Sequence, residues 1–136
     1  MTPIHCTING DEPRIIGQAC TGFFVLHFYD GTAISDQVVV AHLKFDEQWY
    51  RLYFECGMVF WRESHEPPGT PVNSTLEYGL VLNDLSELSS VVGQVVESIS
   101  YSGNEFGDVE VRIGFATGIA MKFSYSAASD STRVAA

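Results

Sequence analysis

Basic residues are scarce in this chain of 136 residues: seven lysines and arginines stand against seventeen aspartates and glutamates, a formal net charge of −10. Such a surplus of negative charge repels the phosphate backbone of nucleic acids and the surface of anionic membranes. We therefore expect neither nucleic acid nor a membrane as a partner. The acidity has two interpretations, which are solubility alone and electrostatic steering toward a basic protein.

Long apolar segments are absent and cysteines are few. No run approaches the roughly 18 apolar residues that a membrane-spanning helix needs, and residues 1–7 lack the features of a signal peptide. We therefore predict a cytoplasmic location. The cysteines, Cys6, Cys20 and Cys56, follow no CxxC spacing, which argues against a disulfide scaffold and a structural zinc site.

Catalytic signatures are missing as well. The chain contains no P-loop, GxGxxG, GxSxG, HExxH or EF-hand pattern. Acidic residues are so frequent that any fold brings some of them together, whereas a catalytic pair needs a desolvated member with a shifted pKa. His27 and His42 could meet on neighbouring strands, but their spacing matches no metal-site pattern. We therefore name no catalytic residue, metal ligand or cofactor, and an enzyme is the less favoured interpretation.

What the chain does contain is the alternation of apolar and polar residues that is typical of strands. Phe24, Leu26 and Phe28, for example, would share one face of a strand. We predict an all-β fold of about eight or nine short antiparallel strands, arranged as a barrel or a two-layer sandwich. Residues 1–126 would form a single domain, and the composition of residues 127–136 predicts a flexible C-terminal tail.

A faint internal repetition suggests two similar halves. The sequence Ile-Ile-Gly-Gln at 15–18 returns as Val-Val-Gly-Gln at 91–94, and each copy precedes a strand–turn–strand pattern around one glycine. The repeated halves would span residues 15–64 and 91–125. Two amphipathic hairpins can also resemble each other without duplication, so both interpretations stay open.

The register of each hairpin decides which side chains face solvent. In the last hairpin, a three-residue loop at 116–118 keeps Lys122 off the apolar face. The same loop length at 55–57 would place Arg51 opposite Trp61. One face of this earlier hairpin would then collect aromatic and charged side chains, which we predict as binding residues: Trp49, Arg51, Tyr53, Trp61 and Glu63.

These residue types dominate protein–protein interfaces, although a second sheet or the Pro-rich segment at 64–75 could instead bury the face as ordinary core. We therefore expect a small acidic, non-catalytic interaction protein, for example an immunity or inhibitor protein against a basic toxin. A homodimer is also compatible with the sequence. The alternative is a carrier in which a closed barrel holds an apolar molecule among inward aromatic residues: Phe24, Phe28, Tyr50, Phe54 and Phe60.

Overall fold

The computed structural model describes residues 6–30, 33–68, 78–84 and 91–135. Within these ranges the chain forms ten strands and no helix, so the all-β prediction is confirmed. The strands are β1 (Thr7–Asn9), β2 (Cys20–Asp30), β3 (Ala33–Phe45), β4 (Gln48–Glu55), β5 (Met58–Ser64), β6 (Tyr78–Asp84), β7 (Val96–Gly103), β8 (Val109–Phe115), β9 (Ala120–Ser126) and β10 (Ser131–Ala135).

Two open sheets make up the described part of the chain. Six strands form the larger sheet in the order β1-β5-β4-β3-β2-β6, and four form the smaller sheet in the order β10-β9-β8-β7. The β1–β5 pair is parallel, and the other neighbouring strands run antiparallel. The sheets do not close on themselves, so the sandwich is confirmed and the barrel alternative is wrong.

Aromatic side chains fill the space between the sheets. Phe23 of β2 meets Phe123 of β9 edge to face, with ring centroids 6.1 Å apart. Trp61 of β5 is 1 % exposed, and its indole nitrogen donates a hydrogen bond of 2.9 Å to the hydroxyl of Tyr101 on β7. Because a buried indole N–H needs an acceptor, this bond gives Trp61 a defined place between the two sheets.

The two Gly-Gln segments pair with each other just before β2 and β7 begin. Four backbone hydrogen bonds of 2.7–2.9 Å join them: Gly17 N–H to Val96 C=O, Gly93 N–H to Cys20 C=O, Cys20 N–H to Gln94 C=O, and Val96 N–H to Gln18 C=O. Exchanging the two segments reproduces this pattern residue for residue, as a local twofold axis would. Gly17 and Gly93 adopt φ values of +87° and +92°, which glycine accepts without steric strain. The repetition in the sequence is thus a paired structural element; a repeat of the whole halves, 15–64 and 91–125, stays a prediction.

The last hairpin has the predicted loop. Phe115 N–H donates to the carbonyl of Ile119 across residues 116–118, and Gly118 takes a φ of +91°. Arg112 and Lys122 face solvent, directly opposite each other on β8 and β9. The three-residue loop is therefore confirmed.

The β4–β5 hairpin has a shorter loop than predicted. Glu55 pairs with Met58 across the two-residue loop Cys56–Gly57, and Trp61 stands opposite Leu52 instead of Arg51. A change of one residue in register moves every side chain of a strand to the other face. The longer loop would leave Trp61 outside and bury the smaller ring of Phe60, whereas the shorter loop buries Trp61 and lets it bond to Tyr101.

Residues 131–135 form β10 instead of the predicted flexible tail. Their backbone pairs antiparallel with β9, whose free edge accepts them. Thr132 is 3 % exposed, and its N–H donates a hydrogen bond of 3.0 Å to Asp36 Oδ1 on β3. Small polar residues carry little sequence signal for burial, which is why the composition suggested a frayed end.

Removing residues 131–136 should lower the free energy of unfolding by about 2 kcal/mol, because β9 loses its partner strand and Asp36 loses a partly buried donor. Urea unfolding of the truncated and full-length chains measures the difference. The matched control, Arg133→Ala, alters an exposed side chain of the same strand and should stay within about 0.5 kcal/mol of the unmodified chain. Equal stability of the truncated and full-length chains would show that β10 is a frayed tail after all.

Candidate functional site

The predicted binding residues lie on two different faces of the larger sheet. Trp49, Arg51 and Tyr53 of β4 point away from the smaller sheet; Arg51 is exposed and the two rings are half-buried. Trp61 belongs to the opposite face, inside the core, and Glu63 is exposed where that inner face ends. The single face predicted from the sequence is therefore not formed, because the shorter loop moves β5 by one residue relative to β4.

Neighbouring strands add residues to the outer side of the sheet that sequence reasoning missed. Their positions follow from the register of β2, β3, β4 and β5. We call the following eight residues the outer face: Phe24, His42, Lys44, Trp49, Arg51, Tyr53, Phe60 and Arg62. The outer face thus holds three of the seven basic side chains of this acidic chain.

Trp49 is the centre of one half of the outer face. Phe24 packs against it edge to face, with ring centroids 5.8 Å apart. The ammonium group of Lys44 lies 5.8 Å from the centre of the indole ring, within the range of a cation–π interaction. The half-exposed indole is therefore held in position by an aromatic ring and a cation.

Tyr53 and Phe60 form the other half. Their rings stack with centroids 4.8 Å apart, and the guanidinium of Arg62 lies 5.6 Å from the centre of Phe60. Arg62 also donates hydrogen bonds of 2.8 Å to the carbonyl of Asn9 and 2.6 Å to Asn9 Oδ1. Strand β1 thereby fixes the Arg62 side chain at the edge of the sheet.

A row of basic side chains crosses the middle of the outer face. Arg62, Arg51 and His42 stand directly opposite one another on β5, β4 and β3. Burial lowers the pKa of His42, and the positive charge of Arg51 lowers it further. The Arg51 side chain makes no hydrogen bond or ion pair with any described residue. Like charges that stand opposite each other destabilise a sheet. This row therefore lowers the stability of the fold, and no described contact of the Arg51 side chain offsets that loss.

Other candidate chemistry finds little support in the geometry. His27 is buried whereas His42 lies on the outer face, so these two histidines do not form a shared site. Among the residues that the structure describes, no three His, Cys, Asp or Glu side chains form a group that could hold a metal ion. Cys6, Cys20 and Cys56 are free thiols. Burial raises the pKa of Cys20 to about 11, so this thiol is protonated and unreactive at neutral pH.

No protein-family model matches the chain, and neither a curated protein nor a solved structure matches it significantly. In the described ranges, no helix is long and apolar enough to cross a membrane. A function for this chain is therefore inferred from the charge and geometry of its own residues.

The two tryptophans should respond differently to truncation. Trp61→Ala should lower the free energy of unfolding by about 3–5 kcal/mol, because it opens a cavity between the sheets and leaves Tyr101 without its donor. Trp49→Ala is the matched control on the outer face and should cost about 1 kcal/mol, the loss of its contacts with Phe24 and Lys44. Urea unfolding compares the two variants. A larger loss for Trp49→Ala than for Trp61→Ala would contradict the register described above.

Proposed function

We propose that this protein is a non-catalytic interaction module that binds a protein partner through the outer face, and that the contacting segment of the partner is acidic and apolar. The observation that carries the proposal is Arg51, an exposed cation without an ion pair to any described residue, opposite Arg62 and beside half-exposed aromatic rings. Trp, Tyr and Arg are the residues most enriched in interface hot spots. A carboxylate from a partner would offset the repulsion within the row of basic side chains.

The charge of the outer face differs from that of the rest of the chain. Lys44, Arg51 and Arg62 contribute +3 to the net charge of −10, so the remaining residues carry a formal −13. The acidic composition favoured a basic partner, but the outer face would repel one at short range. We therefore do not propose the outer face as the binding site for a basic toxin, which the hypothesis of an immunity protein would require.

Two other functions are less well supported by the same geometry. Single-stranded nucleic acid also binds faces that combine cations with aromatic rings. The rest of this chain, however, carries a formal charge of −13, which repels a phosphate backbone. The carrier hypothesis placed five aromatic side chains around a hollow interior: Phe24, Phe28, Tyr50, Phe54 and Phe60. Tyr50 and Phe54 instead pack in the core between open sheets, and Phe24 and Phe60 lie on the outer face.

Selection of a random-peptide display library against the immobilised protein tests the proposal. Enriched peptides should combine Asp or Glu with aromatic or aliphatic residues. Arg51→Glu should weaken binding of the best peptide at least tenfold, about 1.4 kcal/mol, because it replaces the attracting charge by a repelling one. Fluorescence anisotropy with the labelled peptide measures the affinity.

Arg112→Glu is the matched control, since Arg112 is an exposed arginine opposite another cation, Lys122, on the smaller sheet. This variant should bind the peptide as the unmodified chain does. Enrichment of basic peptides, or equal losses in the two variants, would refute the outer face as the binding site. Tight binding of a single-stranded oligonucleotide that is lost in Arg51→Glu would refute the protein partner.

A further inference from the structure

The β7–β8 turn, residues 104–108, presents an acid and an aromatic ring side by side. Glu105 is exposed, and Phe106 is 72 % exposed, the highest value among the large apolar side chains that the structure describes. Glu105 makes no ion pair with any described residue. Both side chains are therefore accessible to another molecule, and the carboxylate has a charge to pair.

Hydrogen bonds fix the backbone of this turn. Asn104 Oδ1 accepts hydrogen bonds of 2.9 Å from the N–H of Phe106 and 3.1 Å from the N–H of Asp108. The N–H of Gly57, in the loop between β4 and β5, donates a bond of 3.0 Å to the carbonyl of Gly107. The ring of Phe106 is thus displayed on a preorganised turn, which lowers the entropic cost of a contact with a partner.

The β7–β8 turn lies at the same end of the sandwich as one half of the outer face. Gly107 packs so closely on the β4–β5 loop that a Cβ at this position would overlap the thiol of Cys56. Tyr53 and Phe60 are paired across β4 and β5, three residues from either side of that loop. Three strand residues span about 10 Å, so the stacked rings of Tyr53 and Phe60 lie close to the end that carries the turn.

The turn and the outer face are complementary in charge and in residue type. Arg51 is an exposed cation whose side chain has no ion pair with a described residue, and the rings of Tyr53 and Phe60 beside it are half-buried. Glu105 supplies the missing carboxylate, and Phe106 supplies an aromatic ring that could pack on these rings. The chain therefore carries both an acidic, apolar segment and a surface that suits one.

We propose that the β7–β8 turn of one copy of this chain docks on the outer face of a second copy. This inference rests on the proposed function, because it names the acidic and apolar segment that the outer face binds. The turn and the stacked rings lie at the same end, so each of two copies gives its turn and receives the other's. Such a reciprocal contact closes the assembly at a dimer.

Sedimentation equilibrium of the unmodified chain tests the proposal. Each copy carries a net charge of −10, so the experiment is run at a salt concentration of about 0.15 M, at which repulsion is screened beyond about 8 Å. The contact area is small, and we therefore expect a weak monomer–dimer equilibrium with a dissociation constant of about 100 µM.

Phe106→Ser should weaken dimerisation at least tenfold, because the dimer loses both aromatic contacts. The matched control is Ile16→Ser, since Ile16 is 65 % exposed and lies outside both the β7–β8 turn and the outer face. This variant should dimerise as the unmodified chain does. Equal losses in the two variants would overturn the proposal in favour of non-specific apolar association.

A mixture of two charge-reversed chains tests the pairing of Arg51 with Glu105. Arg51→Glu and Glu105→Arg should each abolish dimerisation, because two identical copies would then present like charges at both contacts. Mixing the two variants should restore a dimer, since each turn then meets an outer face of opposite charge. Failure of the mixture to dimerise would overturn this pairing.

Two further results would overturn the proposal: a chain that stays monomeric up to about 1 mM, ten times the expected dissociation constant, and assemblies larger than a dimer. The peptide selection described above separates this failure from that of the proposed function. A monomeric chain that still binds acidic, apolar peptides through Arg51 would keep the outer face as a site for a different protein. Dissociation of the dimer by such a peptide would support docking at the same surface.

Discussion

The outer face depends on the burial of one side chain, Trp61. Enclosing its indole between the sheets and pairing its N–H with Tyr101 sets the register of β4 against β5. In that register Arg51 stands opposite Arg62 on the outer side, and Glu63 stands opposite Tyr50 on the inner side. The cationic outer face is therefore a consequence of the way Trp61 packs between the sheets.

The paired Gly-Gln segments hold the larger and the smaller sheet together. Their reciprocal backbone bonds join the starts of β2 and β7 and so connect the larger sheet to the smaller one. The two copies differ in their surroundings, because the Thr117 hydroxyl donates to the amide oxygen of Gln94, whereas no described residue donates to Gln18 Oε1. A structural element with a symmetric backbone is thus asymmetric at its two glutamine side chains.

Sequence reasoning succeeded where a charge distinguished the two faces of a strand. In the last hairpin, Lys122 would have entered the core with the shorter loop, so the choice of register was clear and proved correct. In the β4–β5 hairpin both registers bury aromatic residues, either Phe60 or Trp61, and alternation could not separate them. The choice depended on Tyr101, which lies 40 positions further along the chain.

The composition of the outer face and the unpaired state of Gln18 were beyond sequence reasoning for a related reason. His42 and Lys44 join Arg51 only through the pairing of β3 with β4, and such long-range pairing leaves no local pattern. The same holds for β10, whose small polar residues become a strand because β9 offers an edge. Alternation predicts that strands exist, whereas their neighbours are decided by packing across the whole core.

The chain has two tryptophans, one on the outer face and one in the core, so a single spectrum can report on both environments. We would replace both with 5-fluorotryptophan and record ¹⁹F spectra in H₂O and D₂O, with and without an acidic apolar peptide selected on the protein. We expect the Trp49 signal to change with solvent and to move on binding, while the Trp61 signal does neither. A response of Trp61 with a silent Trp49 would contradict both the register of the larger sheet and the binding face built on it.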